Sequence, residues 1–201
     1  MKKNLWLVVA LAACVAATAA RAQAVFPPKE APVFSGPYVG AAIAAAQARR
    51  GCPAPLLGGG RVCDDRDPSW GFFGGYQLIR YFAAEVEYRD LGYLRATAPD
   101  SSRSTHTTVW DLTAIGIAPI TERLSAFAKF GGYRALLQSD QSGIGDAHAS
   151  GLTYAFGAQL DFGERFGLRA LWQRYRNVKG GLNYGDNDYD TLGLALLVRV
   201  R

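Results

Sequence analysis

Apolar and polar residues alternate with a period of two along most of this chain. Residues 153–162 show the pattern most clearly, because Tyr154, Phe156 and Leu160 alternate with small or polar residues such as Thr153 and Gln159. A β-strand directs successive side chains to opposite faces. The pattern therefore predicts a strand with one apolar face and one polar face.

The same alternation predicts eight strands in all. They cover residues 38–47, 70–78, 82–89, 108–118, 124–133, 153–162, 166–175 and 191–200. The first segment is rich in alanine, but Gly36, Pro37 and Gly40 disfavour a helix there. Seven strands would also leave a barrel open at one edge, so we interpret this segment as a strand.

The links between these segments alternate in length. Short links occupy residues 79–81, 119–123 and 163–165, and long polar links occupy residues 48–69, 92–107, 134–149 and 176–188. Short turns at one end and long loops at the other are characteristic of bacterial outer-membrane barrels. The sequence therefore predicts an all-β fold, an eight-stranded antiparallel up-and-down transmembrane β-barrel, located in the bacterial outer membrane.

The polar face of the predicted strands carries charges of both signs. In contact with lipid, the apolar face must point outward and this face inward. Isolated charges in a confined interior are strongly unfavourable, so we expect a paired network that fills the barrel and leaves no wide channel. A narrow ion or proton path is the alternative. The predicted interior residues are Glu85, Glu87, Arg89, Asp111, Lys129, Asp161, Arg169 and Arg199.

The first 24 residues have the features of a secretory signal peptide. Lys2 and Lys3 precede an apolar run that ends in the small-x-small motif of residues 22–24, which predicts cleavage after Ala24. Lipidation of Cys14 at a lipoprotein-type processing site is the alternative. Residues 25–35 contain three prolines and are interpreted as a periplasmic N-terminal arm, and residues 36–201 as the barrel domain.

Charge and cysteine content narrow the function classes. The formal net charge is +5, but the predicted signal peptide contains three of the basic residues. The remaining chain has 19 basic and 17 acidic residues, so its charge gives no reason to expect a nucleic-acid partner. In an oxidising compartment Cys52 and Cys63 are expected to form a disulfide, with two free thiols as the alternative. Two cysteines without a histidine pair make a poor metal site, so no metal or cofactor is expected.

The first long link is the best candidate for surface binding. Binding residues concentrate on loops that a rigid scaffold carries. Here arginines intermix with aspartates, and they define either a binding surface, a contact with lipopolysaccharide phosphates or a solvated loop without a ligand. The arginines are Arg49, Arg50, Arg61 and Arg66.

Several short segments resemble one family of membrane proteins. Residues 36–40 (GPYVG), 85–92 (EVEYRDLG), 111–114 (DLTA) and 167–170 (GLRA) are similar to the OmpA-type and opacity-protein-type outer-membrane barrels. The resemblance implies contact with outer-membrane lipid and lipopolysaccharide, and insertion by the barrel-assembly machinery. Such barrels usually end in an aromatic residue, whereas this chain ends in Val200 and Arg201.

One motif raises the possibility of catalysis. His148 and Ser150 are two residues apart, so on a strand they share a face, and some eight-stranded barrels are lipid A deacylases that use such a pair with an acidic partner. Glu164 is predicted at the opposite end of the barrel, and His106 lies in a Ser/Thr-rich link without an evident companion. A histidine and a serine at the start of a strand are the simpler interpretation.

We therefore predict a non-enzymatic outer-membrane barrel with a structural, envelope or surface-interaction role. A lipid A-modifying enzyme is the first alternative. A soluble exported barrel that binds an apolar ligand is the second, and it requires the apolar face to point inward.

Overall fold

The computed structural model describes residues 35–50, 62–98, 101–140, 145–179 and 186–200. The predicted signal peptide, residues 25–34 of the arm, Cys52, Arg61 and Arg201 lie outside these ranges. The strands are β1 (Gly36–Ala48), β2 (Val62–Asp64), β3 (Arg66–Ile79), β4 (Phe82–Ala98), β5 (Ser101–Pro119), β6 (Leu124–Ser139), β7 (Ala147–Phe162), β8 (Phe166–Lys179) and β9 (Asp186–Arg199).

The long strands form a closed antiparallel barrel. Each of them pairs with its neighbour in the order β1, β3, β4, β5, β6, β7, β8, β9, and β9 pairs again with β1, for example Ala42 with Ala195. The three-residue β2 is an additional segment that pairs with β4 beyond the start of β3. The prediction of an eight-stranded antiparallel barrel is confirmed.

The predicted loops are shorter than expected because the strands continue into them. Residues 92–107 were expected to form a loop, but β4 and β5 stay paired from Tyr93 with His106 up to Ala98 with Ser101. The links predicted at 134–149 and 176–188 likewise lose residues to β6, β7, β8 and β9. Polar residues on the outer face of these extensions, such as Arg95, Gln138 and His148, interrupt the alternation, since a strand above the membrane needs no apolar outer face.

The barrel wall is apolar outside and mixed inside. Exposed side chains such as Phe72, Trp110, Phe156 and Leu192 cover the outer face. The soluble ligand-binding alternative required the apolar face to point inward and is therefore wrong. Among the described residues, no helix has the length and apolar character needed to cross a membrane.

The interior contains two apolar clusters that the alternation did not predict. One cluster includes Tyr38, Phe73, Phe127 and Leu197, near the short turns. The other includes Val109, Leu137 and Tyr189 among its members, nearer the long loops. Glu85, Glu87, Arg89 and Lys129 lie buried between the two clusters, where a low local dielectric strengthens electrostatic interactions. Asp161 and Arg199 lie closer to the short turns.

Candidate functional site: charged interior and extracellular rim

Glu85 on β4 is the centre of the interior charges. Its side chain is buried and accepts hydrogen bonds from Lys129 Nζ at 2.6 Å, from Arg169 Nη1 at 2.6 Å and from the Tyr38 hydroxyl at 2.9 Å. These donors come from β6, β8 and β1, so they reach Glu85 across the interior and not along one hairpin. Closure of the barrel is what brings them together.

The ion pairs continue from Glu85 in one direction along β4. Lys129 also donates to Glu87 Oε2 at 2.8 Å, and Glu87 forms an ion pair with Arg89. Opposite charges therefore alternate from Arg89 through Glu87, Lys129 and Glu85 to Arg169. Each charge in this series has at least one partner of opposite sign, which offsets the cost of removing it from water.

The series continues from Arg169 toward the short turns. Arg169 Nε donates to Gln159 Oε1 at 2.8 Å, Gln159 Nε2 donates to Asp161 Oδ1 at 2.8 Å, and Arg199 Nη2 donates to the same Asp161 oxygen at 2.7 Å. The Arg169 guanidinium also lies 5.2 Å from the Phe127 ring centroid, within the range of a cation–π interaction. Arg169 is thus held by a carboxylate, an amide and aromatic rings.

Asp111 is held apart from this series. Its Oδ2 accepts hydrogen bonds from Gln173 Nε2 at 3.0 Å and from the Tyr175 hydroxyl at 2.9 Å. Its Oδ1 is buried and has no hydrogen-bond partner among the described residues. The structure therefore places all eight predicted interior side chains inside the barrel and connects seven of them, and Gln159 bridges two of those. The eight comprise four cations and four carboxylates, so their formal charges cancel.

The rim formed by the long loops holds three of the four predicted loop arginines, and Arg61 lies outside the described residues. Arg49 lies 3.3 Å from Asp190, a carboxylate that also accepts two hydrogen bonds from Arg174 at 2.6 and 2.7 Å. The backbone nitrogen of Arg50 donates to Asn187 Oδ1. The exposed Arg66 begins β3, where it pairs with Gln47. These arginines remain candidates for surface binding.

Cys63 lies on β2 and is half-buried and disulfide-bonded. Cys52, its predicted partner, lies outside the described residues, so the Cys52–Cys63 pairing stays a prediction.

His106 contacts two side chains that the sequence did not predict as its partners. Its Nε2 lies 2.9 and 3.0 Å from the two carboxylate oxygens of Asp90, and its ring stacks on Tyr93 with centroids 4.6 Å apart. The register between β4 and β5 shifts between Asp90 and Tyr93, and Gly92 adopts a φ of 77° there. A glycine two residues after an aspartate was the available signal for this irregularity.

His148 and Ser150 lie on the outer face of β7, and both are exposed. Within the described residues, the structure shows no hydrogen bond between them or from either side chain to a carboxylate. Nor do the described ranges contain a group of three or more His, Cys, Asp or Glu side chains that could hold a metal ion.

A closed barrel with an apolar outer wall and a balanced charged interior defines the class of small transmembrane β-barrels. The chain belongs to the family of OmpA-like transmembrane domains, whose model matches residues 32–191. The protein therefore resides in the bacterial outer membrane, in contact with its lipid.

Solved structures share the fold at low sequence identity. Neisserial surface protein A matches with a TM-score of 0.61 at 14% identity, over 84% of this chain and 99% of its own. OprG from Pseudomonas aeruginosa matches with a TM-score of 0.52 at 11% identity, over 83% and 97%. The N-terminal barrel of P. aeruginosa OprF matches with a TM-score of 0.51 at 14% identity, over 82% and 99%. No curated protein matches the chain.

Proposed function

We propose that this protein is a non-enzymatic surface protein of the outer membrane whose barrel supports an extended extracellular rim. The observation that carries the proposal is the surplus length of the strands. A membrane-crossing strand needs roughly 9–11 residues, whereas β4 has 17 and β5 has 19. The short turns lie at the other ends of these strands, so the surplus lies on the side of the long loops.

Among the described residues, the β4–β5 hairpin contains the two longest strands of the barrel. The six residues from Tyr93 to Ala98 extend β4 by about 20 Å along the strand, at a rise of about 3.3 Å per residue. The hairpin is held at its base, where the Tyr93 backbone nitrogen donates to Asp67 Oδ2 at 2.7 Å, and β2 pairs with residues 95–97 on its side. A hairpin supported in this way suits contact with other surface molecules.

Because side chains fill the interior, the structure favours a function that does not require a wide pore. The interior of an eight-stranded barrel is just filled by side chains. Here paired charges and two apolar clusters occupy it. The proposed partners are lipopolysaccharide around the wall, with the rim arginines Arg49, Arg50, Arg61 and Arg66 as candidate contacts, and the barrel-assembly machinery during insertion.

A complementation experiment tests the surface role. A strain that lacks the gene is complemented with the wild-type chain or with a chain in which Asn-Gly replaces residues 94–105, and survival in detergent and adhesion to surfaces are measured. We expect the deletion to impair at least one of these properties, the wild type to restore it and the shortened chain to restore it incompletely. A deletion strain that behaves like its parent in both assays, or full restoration by the shortened chain, would overturn the proposed role of the rim.

The enzyme alternative is tested by a single substitution. We expect His148→Ala to leave the acylation pattern of lipid A unchanged, because His148 has no hydrogen bond to Ser150 or to an acidic group of the described residues. Mass spectrometry of lipid A from wild-type, variant and deletion strains measures this pattern. If the deletion and the variant share an altered pattern, the non-enzymatic proposal fails.

A further inference from the structure

Two arginines on the outer wall lie at the height where the membrane ends. Arg134 is the eleventh residue of β6, and Arg176 is the eleventh residue of β8, counted from the short turns. About 9–11 residues cross the apolar core of a membrane. Both side chains are exposed on the outer face. Their position at the end of the membrane-crossing part of each strand places them at the level of the lipid headgroups.

These two arginines flank β7, which lies between β6 and β8 in the sheet. Neighbouring strands are about 4.8 Å apart, so the two arginine backbones are separated by about 10 Å across the wall. Leu152, also the eleventh residue from the turn that ends β7, lies exposed between them. Ser150 pairs with Arg134, and His148 follows one step higher opposite Leu136.

Three other outward arginines on the rim have carboxylate partners. Arg174 and Arg49 pair with Asp190, and Arg95 pairs with Asp67. Within the described ranges, Arg134 and Arg176 show no ion pair.

The carboxylates near this part of the rim are engaged by other groups. Asp146 accepts a hydrogen bond from Gln138, and Asp188 accepts one from the backbone of Asn177. Among the described residues, the two arginine charges therefore have no carboxylate partner and can bind a ligand from outside the chain.

We propose that Arg134, Arg176, Ser150 and His148 form a binding site for the phosphorylated headgroup of lipid A in the outer leaflet. Guanidinium groups bind phosphate oxygens with two parallel hydrogen bonds. Arginines on both sides of β7 fit a headgroup with more than one phosphate, and Ser150 and His148 supply polar contacts beside Arg134. Leu152 and, below it, Tyr154 offer an apolar surface to the acyl chains.

This site rests on the proposed function because it requires contact between the barrel wall and lipopolysaccharide. It assigns the His148–Ser150 motif a role in binding. The complementation experiment addresses the hairpin, which lies on β4 and β5. Loss of lipid A binding and loss of the surface phenotype are therefore separable results.

The test compares a pair of substitutions on β6 and β8 with a pair in the turns that precede these strands. The site variant is Arg134→Gln with Arg176→Gln. The matched control is Arg123→Gln with Arg165→Gln, which removes two exposed arginines from the turns that precede β6 and β8 at the opposite membrane face. Each refolded protein in detergent is titrated with diphosphoryl lipid A, with monophosphoryl lipid A and with phosphatidylglycerol, and bound lipid is counted by native mass spectrometry. Heat-dependent gel migration verifies that each variant is folded.

We expect the site variant to bind diphosphoryl lipid A at least about tenfold more weakly than the wild type, because charged hydrogen bonds are lost. The control is expected to bind like the wild type, and monophosphoryl lipid A is expected to bind more weakly than the diphosphoryl form. Equal binding by the site variant and the control would overturn the site. Equally tight binding of phosphatidylglycerol at the same arginines would overturn its assignment to lipid A.

Discussion

At the scale of single residues, Glu85 determines how the interior charges are arranged. It accepts hydrogen bonds from three side chains on three other strands, and it shares Lys129 with Glu87. Removing one member of a buried ion pair is strongly destabilising because the remaining charge stays buried without compensation. Loss of the Glu85 carboxylate should therefore destabilise the barrel strongly.

We expect Glu85→Gln to lower the free energy of unfolding by about 3–5 kcal/mol. The substitution keeps the shape of the side chain but leaves Lys129 and Arg169 with one carboxylate fewer. Urea titration in lipid vesicles, followed by tryptophan fluorescence, measures the change. Glu122→Gln in an exposed turn serves as the control and should cost less than about 1 kcal/mol. Similar losses in the two variants would show that the interior pairs add little to stability.

The sequence was sufficient to assign the interior residues to a face but not to their partners. Period-two alternation places Glu85, Lys129 and Arg169 on the same side of the wall. Which of them meet depends on the register and the curvature of the whole barrel, since Glu85 lies 84 positions from Arg169 in the chain. The contact between His106 and Asp90 was missed for the same reason, because it follows from a local shift in register.

At the scale of elements, the strands continue well beyond the part that crosses the membrane. Their existence and order followed from the apolar alternation, which the lipid requires. Their upper ends did not, because the described outward residues there include polar side chains such as Arg95 and Thr97, which face water above the membrane. Backbone pairing maintains these extensions, and it leaves little trace in a hydrophobicity pattern.

The extended hairpin should be dispensable for folding. We expect the chain with Asn-Gly in place of residues 94–105 to keep its heat-dependent gel migration, because Tyr93 and His106 are direct partners and a two-residue turn can join them. Migration of boiled and unboiled samples measures this. A variant that migrates identically in both would indicate that the hairpin is needed to close the barrel.

At the scale of the whole molecule, the barrel wall is closed and side chains fill its interior. The prediction of eight strands came from counting segments, and it proved correct because pairing between β9 and β1 leaves no open edge. The sequence also predicted charges in the interior. It gave no sign of the apolar clusters at its two ends, since interior positions such as Tyr38 and Val109 occur within otherwise polar or small patterns.

A filled interior should exclude solutes from passage. We expect liposomes that contain the purified protein to swell in an isotonic solution of a small sugar no faster than protein-free liposomes, whereas liposomes with a general porin swell rapidly. Light scattering follows the swelling. A rate close to that of the porin would contradict the filled barrel and the proposed function together.

The interior ion pairs also have a consequence for how the barrel reaches its native register. Glu85, Lys129 and Arg169 lie on β4, β6 and β8, no two of which are neighbours in the sheet. No single hairpin can therefore neutralise them during insertion. A slip of one residue in any of these strands would turn its charge toward lipid. The charges therefore select the native register, because these ion pairs form only when all three strands are correctly aligned.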